Sequence, residues 1–407
     1  MSGPPTSNTR LEHAVAFQRD LYLCWRTARL ERGLALTRRH ALTRAHVRTL
    51  RAALGQTDVG ETEPESARML FLRRFAQRLG LLQLRETPPT LLASAPDQMS
   101  AYLARSFAER LRLATRLWVT GAWWPDQPGT PGEAPRLMAP AAPRVALARR
   151  RLLDALVALP PGSSVRIPPL PLSRRGVRRD EEPDDGYEVA SAEDAMTVRA
   201  ALLGPLCWLG LVTVKEWSGE AADEPRLCHT SGALAALRGD ATLPEAHGRI
   251  VIQADMTVTA FPPLTAPALH VLDSSAERQS TQTTVRFAIT RRSLGNALAS
   301  GAELDDLLAR LRALTDAELP DVVRTRLSDW ARQASRVRLI RSVDVLMVEH
   351  PTTLDALLAD RAAAGWVLRR LSPTTALLAE GRASQAHAWL LRRGEAPAWE
   401  HAGTAER

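Results

Sequence analysis

Two stretches of this chain carry the same local order, and that order limits the fold more than any other feature. ARMLFLRRFAQRLGLLQLR, residues 67–85, reads as a helix ending near Gly80 and a strand over Leu81–Leu84. AEDAMTVRAALLGPLCWLG, residues 192–210, reads as a helix that Pro205 bends or restarts. LVTVKEW and PRLCHTS then flank SGEAADE as two strands around a loop, and SGALAALRG closes the unit with a short helix. Helix, strand, wing and strand is the order of a winged helix, a relative of the helix-turn-helix DNA readers. Winged helices also serve to hold proteins together, so the order alone does not decide between the two roles.

The rest of the chain places these units in a longer array. At 407 residues it exceeds one ordinary core. Residues 1–10 read as a tail and 11–31 as a helix. Residues 33–55 give a short strand and a basic helix, with Thr43 as its N-cap and Gly55 as its stop. Residues 100–126 read as one further helix, whose Trp118, Trp123 and Trp124 are packing residues. DQPGTPGEAPRLMAPAAPR is a Pro/Gly-rich linker. VALARRRLLDALVALPPGSSVRI is a helix stopped by Pro160-Pro161, and SRRGVRRDEEPDDGYE is a loop with a basic and an acidic half.

Downstream, GRIVIQADMTVTAFPP, residues 248–263, alternates Ile250, Ile252, Ala254, Met256 and Val258 with polar positions, as a half-buried strand does. TTVRFAIT supplies a strand to pair with it. GAELDDLLARLRAL puts Leu304, Leu307, Leu308, Leu311 and Leu314 on one helical face, expected as its apolar roof. DVVRTRLSDWARQA forms another helix after Pro320. The tail reads strand, helix, two strands, helix: SVDVLMVEH, TTLDALLADRAAAG, WVLRRLSPTTALLAE and SQAHAWLLRRG. The expected class is α+β: mainly helical winged-helix-like units, a mixed α/β domain, and a small C-terminal βαββα unit. The expected boundaries are a helical region at 1–126, a linker at 127–144, a winged helix at 145–240, the mixed domain at 245–342 and the βαββα unit at 343–395.

Charge points to a polyanion. The formal net charge is +8, and Lys215 is the only lysine, so arginine carries nearly all of it. The planar guanidinium fork suits phosphate, although such a skew also follows from genome composition. No apolar stretch is long enough to span a bilayer and the N-terminus has no apolar signal region, so the expected location is cytoplasmic with no membrane partner. Cys24, Cys207 and Cys228 form no C-x-x-C pair, and small buried thiols are a better reading than a disulfide framework or a zinc site.

Three ordered segments resemble a known family. Val251, Gln253 and Asp255 match a "V-x-Q-x-D" strand before a Pro-rich stop. Arg286, Thr290, Ser293, Leu294, Ala297, Leu298 and Gly301 match an "R-x-x-x-T-x-x-S-L-x-x-A-L-x-x-G" segment. Leu319, Pro320, Val323, Leu327, Asp329, Trp330, Ala331 and Arg332 match an "L-P-x-x-V-x-x-x-L-x-D-W-A-R" helix. Together they resemble bacterial helicase-associated proteins that contain a region similar to the N-terminal domain of XPB-type DNA repair helicases. The resemblance implies a DNA-transaction setting, repair or genome defence, and makes the mixed domain an XPB-N-terminal-like one. It implies no catalytic residue. XPB-type helicases carry a phosphate-binding loop, and this sequence has no G-x-x-x-x-G-K-[ST].

Other chemistry is sparse. The nine histidines stand in no H-E-x-x-H or zinc-finger spacing. DEEPDD reads as a solvated acidic loop rather than a metal cluster, and Asp255 as a turn cap or a solvent-facing acid. No nucleophile elbow or dinucleotide fingerprint occurs, so neither an enzyme nor a cofactor is expected. The candidate nucleic-acid residues are Arg38, Arg39, Arg44 and Arg48 on a strand–helix element, Arg174, Arg175, Arg178 and Arg179 on the charged loop, and Arg291 and Arg292 at a helix start. The expected function is a non-catalytic DNA-binding accessory protein. Its partners are double-stranded or forked DNA and a helicase or nuclease on another chain. The alternative is a protein-interaction scaffold with no nucleic-acid contact.

Overall fold

The computed structural model describes residues 11–55, 61–86, 89–124, 141–168, 192–214, 227–239, 243, 245, 247–281, 284–334, 344–361, 363–395 and 397. The chain divides into two compact units, Met1–Ala331 and Arg332–Arg407. The class is α+β, with four small sheets whose paired strands all run antiparallel among the described residues.

The first unit is built around α1 (Glu12–Leu30), which packs on elements from three successive parts of the chain. After it come β1 (Leu34–Ala35), α2 (Arg44–Leu54), α3 (Ala67–Arg78), β2 (Leu82–Arg85) and β3 (Leu91–Ser94), with sheet order β1-β3-β2. Thr43 precedes α2 and Gly55 ends it at φ 65°, the left-handed position that glycine takes without a Cβ clash. The helix expected at 100–126 is instead two, α4 (Pro96–Leu103) and α5 (Phe107–Thr120). The Ser106 hydroxyl accepts from the Glu109 amide while the Glu109 carboxylate accepts from the Ser106 amide, and this capping box restarts the helix.

The same sequence of elements then recurs: α6 (Pro143–Ala158), β4 (Ser164–Arg166), α7 (Ala192–Leu203), α8 (Pro205–Trp208), β5 (Val212–Val214) and β6 (Leu227–Thr230). Their sheet order, β4-β6-β5, repeats that of the first set. The segment between β5 and β6, the greater part of the linker and the charged loop lie outside the described residues. Gly210 follows α8 at φ 73° and lies so close to α1 that a Cβ there would collide with the backbone of His13 and Ala14.

GRIVIQADMTVTAFPP is not one strand. It is a hairpin of β7 (Ile250–Ile252) and β8 (Thr257–Ala260), in which Ile250 faces Ala260 and Ile252 faces Val258. The Gln253 amide donates to the Thr257 carbonyl and the Met256 amide to the Gln253 carbonyl, closing a three-residue loop with Met256 left-handed at φ 72°. Asp255 sits at its tip, exposed, and accepts from the Thr257 amide at 2.9 Å and hydroxyl at 2.6 Å. α9 (Ala266–Ser275) and β9 (Glu277–Thr281), which the sequence reading did not contain, precede β10 (Val285–Ala288). β10 pairs with β8 and β9, giving the order β7-β8-β10-β9. α10 (Arg291–Ala299) and the leucine helix α11 (Leu304–Ala313) both pack on α9, so α9 belongs to the apolar roof expected from the leucine helix alone. α12 (Asp321–Ala334) closes the region with Val323 and Leu327 buried.

The polar residues of α1 explain how a helix buried on most sides is tolerated. Gln18 accepts from Arg110 of α5 at 2.6 Å, Asp20 from Arg68 of α3 at 2.6 Å, and the Tyr22 hydroxyl donates to Asp273 of α9 at 3.0 Å. Asp273 also binds Arg26 of α1 at 2.9 Å and Arg278 of β9 at 2.8 Å. Gln18 Oε1, Asp20 and Tyr22 thus each have a partner on another element, which offsets their burial, while Gln18 Nε2 and the Trp25 indole nitrogen are buried without one.

The second unit contains β11 (Val345–Met347), α13 (Pro351–Ala359), β12 (Val367–Ser372), β13 (Thr375–Leu378) and α14 (Ala383–Arg392), in the βαββα order, with sheet order β11-β13-β12. Leu357, Ala363, Trp389 and Leu390 form its core. The Trp389 indole donates to Asp360 at 2.7 Å, which lets a buried tryptophan keep its hydrogen bond.

Candidate nucleic-acid interface

The basic surface begins at a turn. Leu36 and Leu42 are buried and bridge to each other, leaving Arg38 and Arg39 exposed at the tip between them. The Thr37 amide donates to the Ala41 carbonyl at 2.7 Å and the His40 amide to the Thr37 carbonyl at 2.9 Å. A buried ion pair holds this turn from below. Arg73 of α3 binds Glu63, whose other oxygen accepts from the Leu42 amide at 2.8 Å. Arg73 also donates to the His40 carbonyl at 3.3 Å. Sequence reading missed both anchors, because Glu63 stands in a polar loop and Arg73 in an arginine-rich helix, where each looks solvated.

α2 continues the surface. Val47, Leu50 and Leu54 bury one face, while Arg44 and Arg48 are exposed one turn apart. Four residues of helix separate them by about 6 Å along the axis. His46 fixes the helix to β1, since its Nδ1 accepts from the Ala35 amide at 3.2 Å and lies 2.8 Å from the Thr43 hydroxyl. Among the described residues, no side-chain hydrogen bond or ion pair is made by Arg38, Arg39, Arg44 or Arg48. One carboxylate tempers the field. Glu65, held below the ordinary carboxylate range mainly by the Thr62 hydroxyl, also feels Arg44.

The other candidates sit elsewhere. Arg291 and Arg292 are exposed at the first two positions of α10, where Thr290 caps by accepting from the Ser293 amide at 3.0 Å. α10 packs on α9 and α2 on α1, so the two arginine sets ride on different elements. Arg174, Arg175, Arg178 and Arg179 lie outside the described residues.

The helices that precede the hairpins present little to solvent. On α3, Met69, Phe71, Leu72, Phe75 and Ala76 are buried. Three of its arginines are engaged: Arg68, still partly exposed, with Asp20, the buried Arg73 with Glu63, and Arg74 with the Trp123 carbonyl at 3.4 Å. Burial brings the Arg74 guanidinium down to about 10, with Arg73 adding to the effect. On α8, Pro205 and Leu206 are buried, and Trp208 meets Phe71 with ring centroids 5.1 Å apart. Trp123 and Trp124 complete this aromatic cluster, at 5.2 Å each from Phe71.

Two hollows lie among the described residues. One of about 230 Å³ lies among Arg78, Gln98, Tyr102 and Arg105, and one of about 110 Å³ lies between β7 and residues 315–320. Among the described residues no group of histidine, cysteine, aspartate and glutamate side chains is placed to hold a metal ion. Cys24, Cys207 and Cys228 are free thiols, and burial pushes Cys24 up to about 12 and Cys228 up to about 11. No described helix is long and apolar enough to cross a membrane.

Residues 250–372 match the family model described as helicase conserved C-terminal domain. The match supports a helicase-associated protein. It runs from β7 to β12, through the hairpin, α9 and the leucine helix. No curated protein matches the chain.

Proposed function

We propose that this chain is a non-catalytic accessory protein that binds double-stranded or forked DNA beside a helicase motor or nuclease supplied by another chain. The observation that carries the reading is the helicase-family match over residues 250–372, in a segment whose described strand pairs are all antiparallel. A nucleotide-driven motor needs a strand–loop–helix that cradles phosphate, with its lysine and serine or threonine. The sequence has neither that motif nor a lysine other than Lys215. The two helix–strand–helix–helix–strand–strand sets, each with the first strand beside the third, support a winged-helix reading for both. The resemblance to the XPB-type N-terminal region supports a repair or genome-defence setting inside the cell.

A scaffold that holds proteins and touches no nucleic acid is the second reading, and the burial of α3 and α8 favours it. Arg44 and Arg48 of α2, exposed and without side-chain hydrogen-bond partners, favour the first. Titration of a labelled forked duplex at low and moderate salt separates them. Saturable binding at low salt that weakens steeply with salt is expected. No binding at low salt leaves only the scaffold, and a stoichiometric protein partner recovered after nuclease treatment then identifies it.

A further inference from the structure

A helix-turn-helix reader lays one exposed helix in the major groove and reads base edges from its first turns. In each of the two repeated element sets, the helix in that position is the one just before the hairpin: α3 in the first and α8 in the second. Neither is available. α3 spends Arg68, Arg73 and Arg74 on Asp20, Glu63 and the Trp123 carbonyl, and its apolar face is covered. α8 has four residues, none of them charged, and packs on α1. Phe71 and Trp208 join α3 to α8 directly. α3 is thus covered mainly by α1 of its own set, and α8 by α1 and by the Phe71 contact, within one core.

Among the described residues, the turn and helix that carry Arg38, Arg39, Arg44 and Arg48 set four exposed guanidiniums without hydrogen-bond or ion-pair partners close together in the chain. A guanidinium without a carboxylate partner is free to take phosphate oxygens. These four charges stand on an element held rigidly by the Arg73–Glu63 pair and by His46. We propose that the protein grips duplex DNA through its phosphates alone, on the Arg38–Arg39 turn and the exposed stripe of α2, and reads no base sequence. This deepens the DNA-binding reading above and rests on it. The device is one fold used twice, with both copies facing inward so that sequence readout is closed and only backbone contact is left open.

The test is anisotropy competition with three duplexes of equal length and unrelated sequence, repeated across a salt series for the wild type and for R44Q/R48Q. The expected result is affinities within about twofold across sequences, because phosphate contacts carry no sequence information. The double variant should flatten the slope of log K against log salt by about 1.8, the contribution of two phosphate contacts. Both side chains are exposed, so the variant should keep the wild-type melting temperature. A tenfold or larger preference for one sequence overturns the proposal while leaving DNA binding intact. So does a double variant whose affinity and slope equal the wild type's. Absence of binding to every duplex at low salt overturns both this proposal and the DNA-binding reading.

Discussion

Phe71 on α3 and Trp208 on α8 meet at 5.1 Å between ring centroids, with their planes 53° apart. The pair joins two parts of the chain that share a topology, beside the packing of α8 and Gly210 on α1. Phe71 is fully buried, so F71A should cost about 3–5 kcal/mol. The two aromatic truncations should fall short of additivity by about 0.5–1.5 kcal/mol, the usual worth of an aromatic pair beyond its burial. Urea midpoints for the two single variants and the double variant measure this. Strict additivity would mean that the two sets stabilise themselves independently.

The Arg73–Glu63 pair makes a different prediction. Both side chains are buried, and Glu63 also accepts from the Leu42 amide. E63A leaves a guanidinium buried without its carboxylate and should cost about 3–5 kcal/mol. Arg38→Gln, at the exposed tip of the same turn, should leave the urea midpoint unchanged and lower duplex affinity. If E63A is as stable as Arg38→Gln, the turn is not anchored from below.

His270 makes stability depend on pH. Burial depresses its pKa, Arg29 adds to the effect and Asp273 opposes it. Its ring packs edge-on against Tyr22 and Trp25 of α1. The native state therefore binds its proton less readily than the unfolded chain. Above the unfolded value of about 6.5 both states are neutral and the contribution is constant. As pH falls through that value towards the lower folded pKa, only the unfolded chain gains the proton and stability is lost. Urea midpoints at pH 7.5 and pH 5.5 should therefore fall more for the wild type than for His270→Gln. Equal changes would remove His270 from the explanation.

The hairpin of β7 and β8 separates packing from chemistry. Ile252 is buried and paired across from Val258, so Ile252→Ala should cost about 2–5 kcal/mol. Asp255 is exposed, and the Thr257 hydroxyl and amide hold its pKa down. Asp255→Asn keeps an acceptor for both donors and should change neither the melting temperature nor DNA affinity. A loss of affinity in Asp255→Asn would give this acid a role that the turn geometry does not.

Local signals in the sequence were legible where one residue decides an element. Thr43 and Gly55 bracket α2, Pro205 begins α8, and the C-terminal strand–helix–strand–strand–helix order is as read. The alternation at 250–260 holds although the stretch is a hairpin and not one strand. A three-residue loop closed by a left-handed Met256 returns the chain on the same parity, so even-numbered residues stay inside on both arms except Ala254, which lies in the loop. α9 was hidden because the Pro-rich stop runs into it. Its signal was present in Thr265, which caps the Ala268 amide, and in Leu269 and Leu272 three residues apart. The inward turn of α3 was not legible at all. Arg68 and Arg73 look like solvent-facing charges until Asp20 and Glu63, from 48 and 10 residues away, are brought beneath them.

An accessory protein whose motor lies on another chain should hydrolyse no ATP by itself. The most direct measurement is ATP hydrolysis by the purified 407-residue chain, with and without forked duplex. The expected result is no turnover above buffer in either case, while the same preparation retains the duplex at low salt. DNA-stimulated hydrolysis that follows the chain through successive purification steps would contradict the claim, because a phosphate-binding motor would then reside in this sequence.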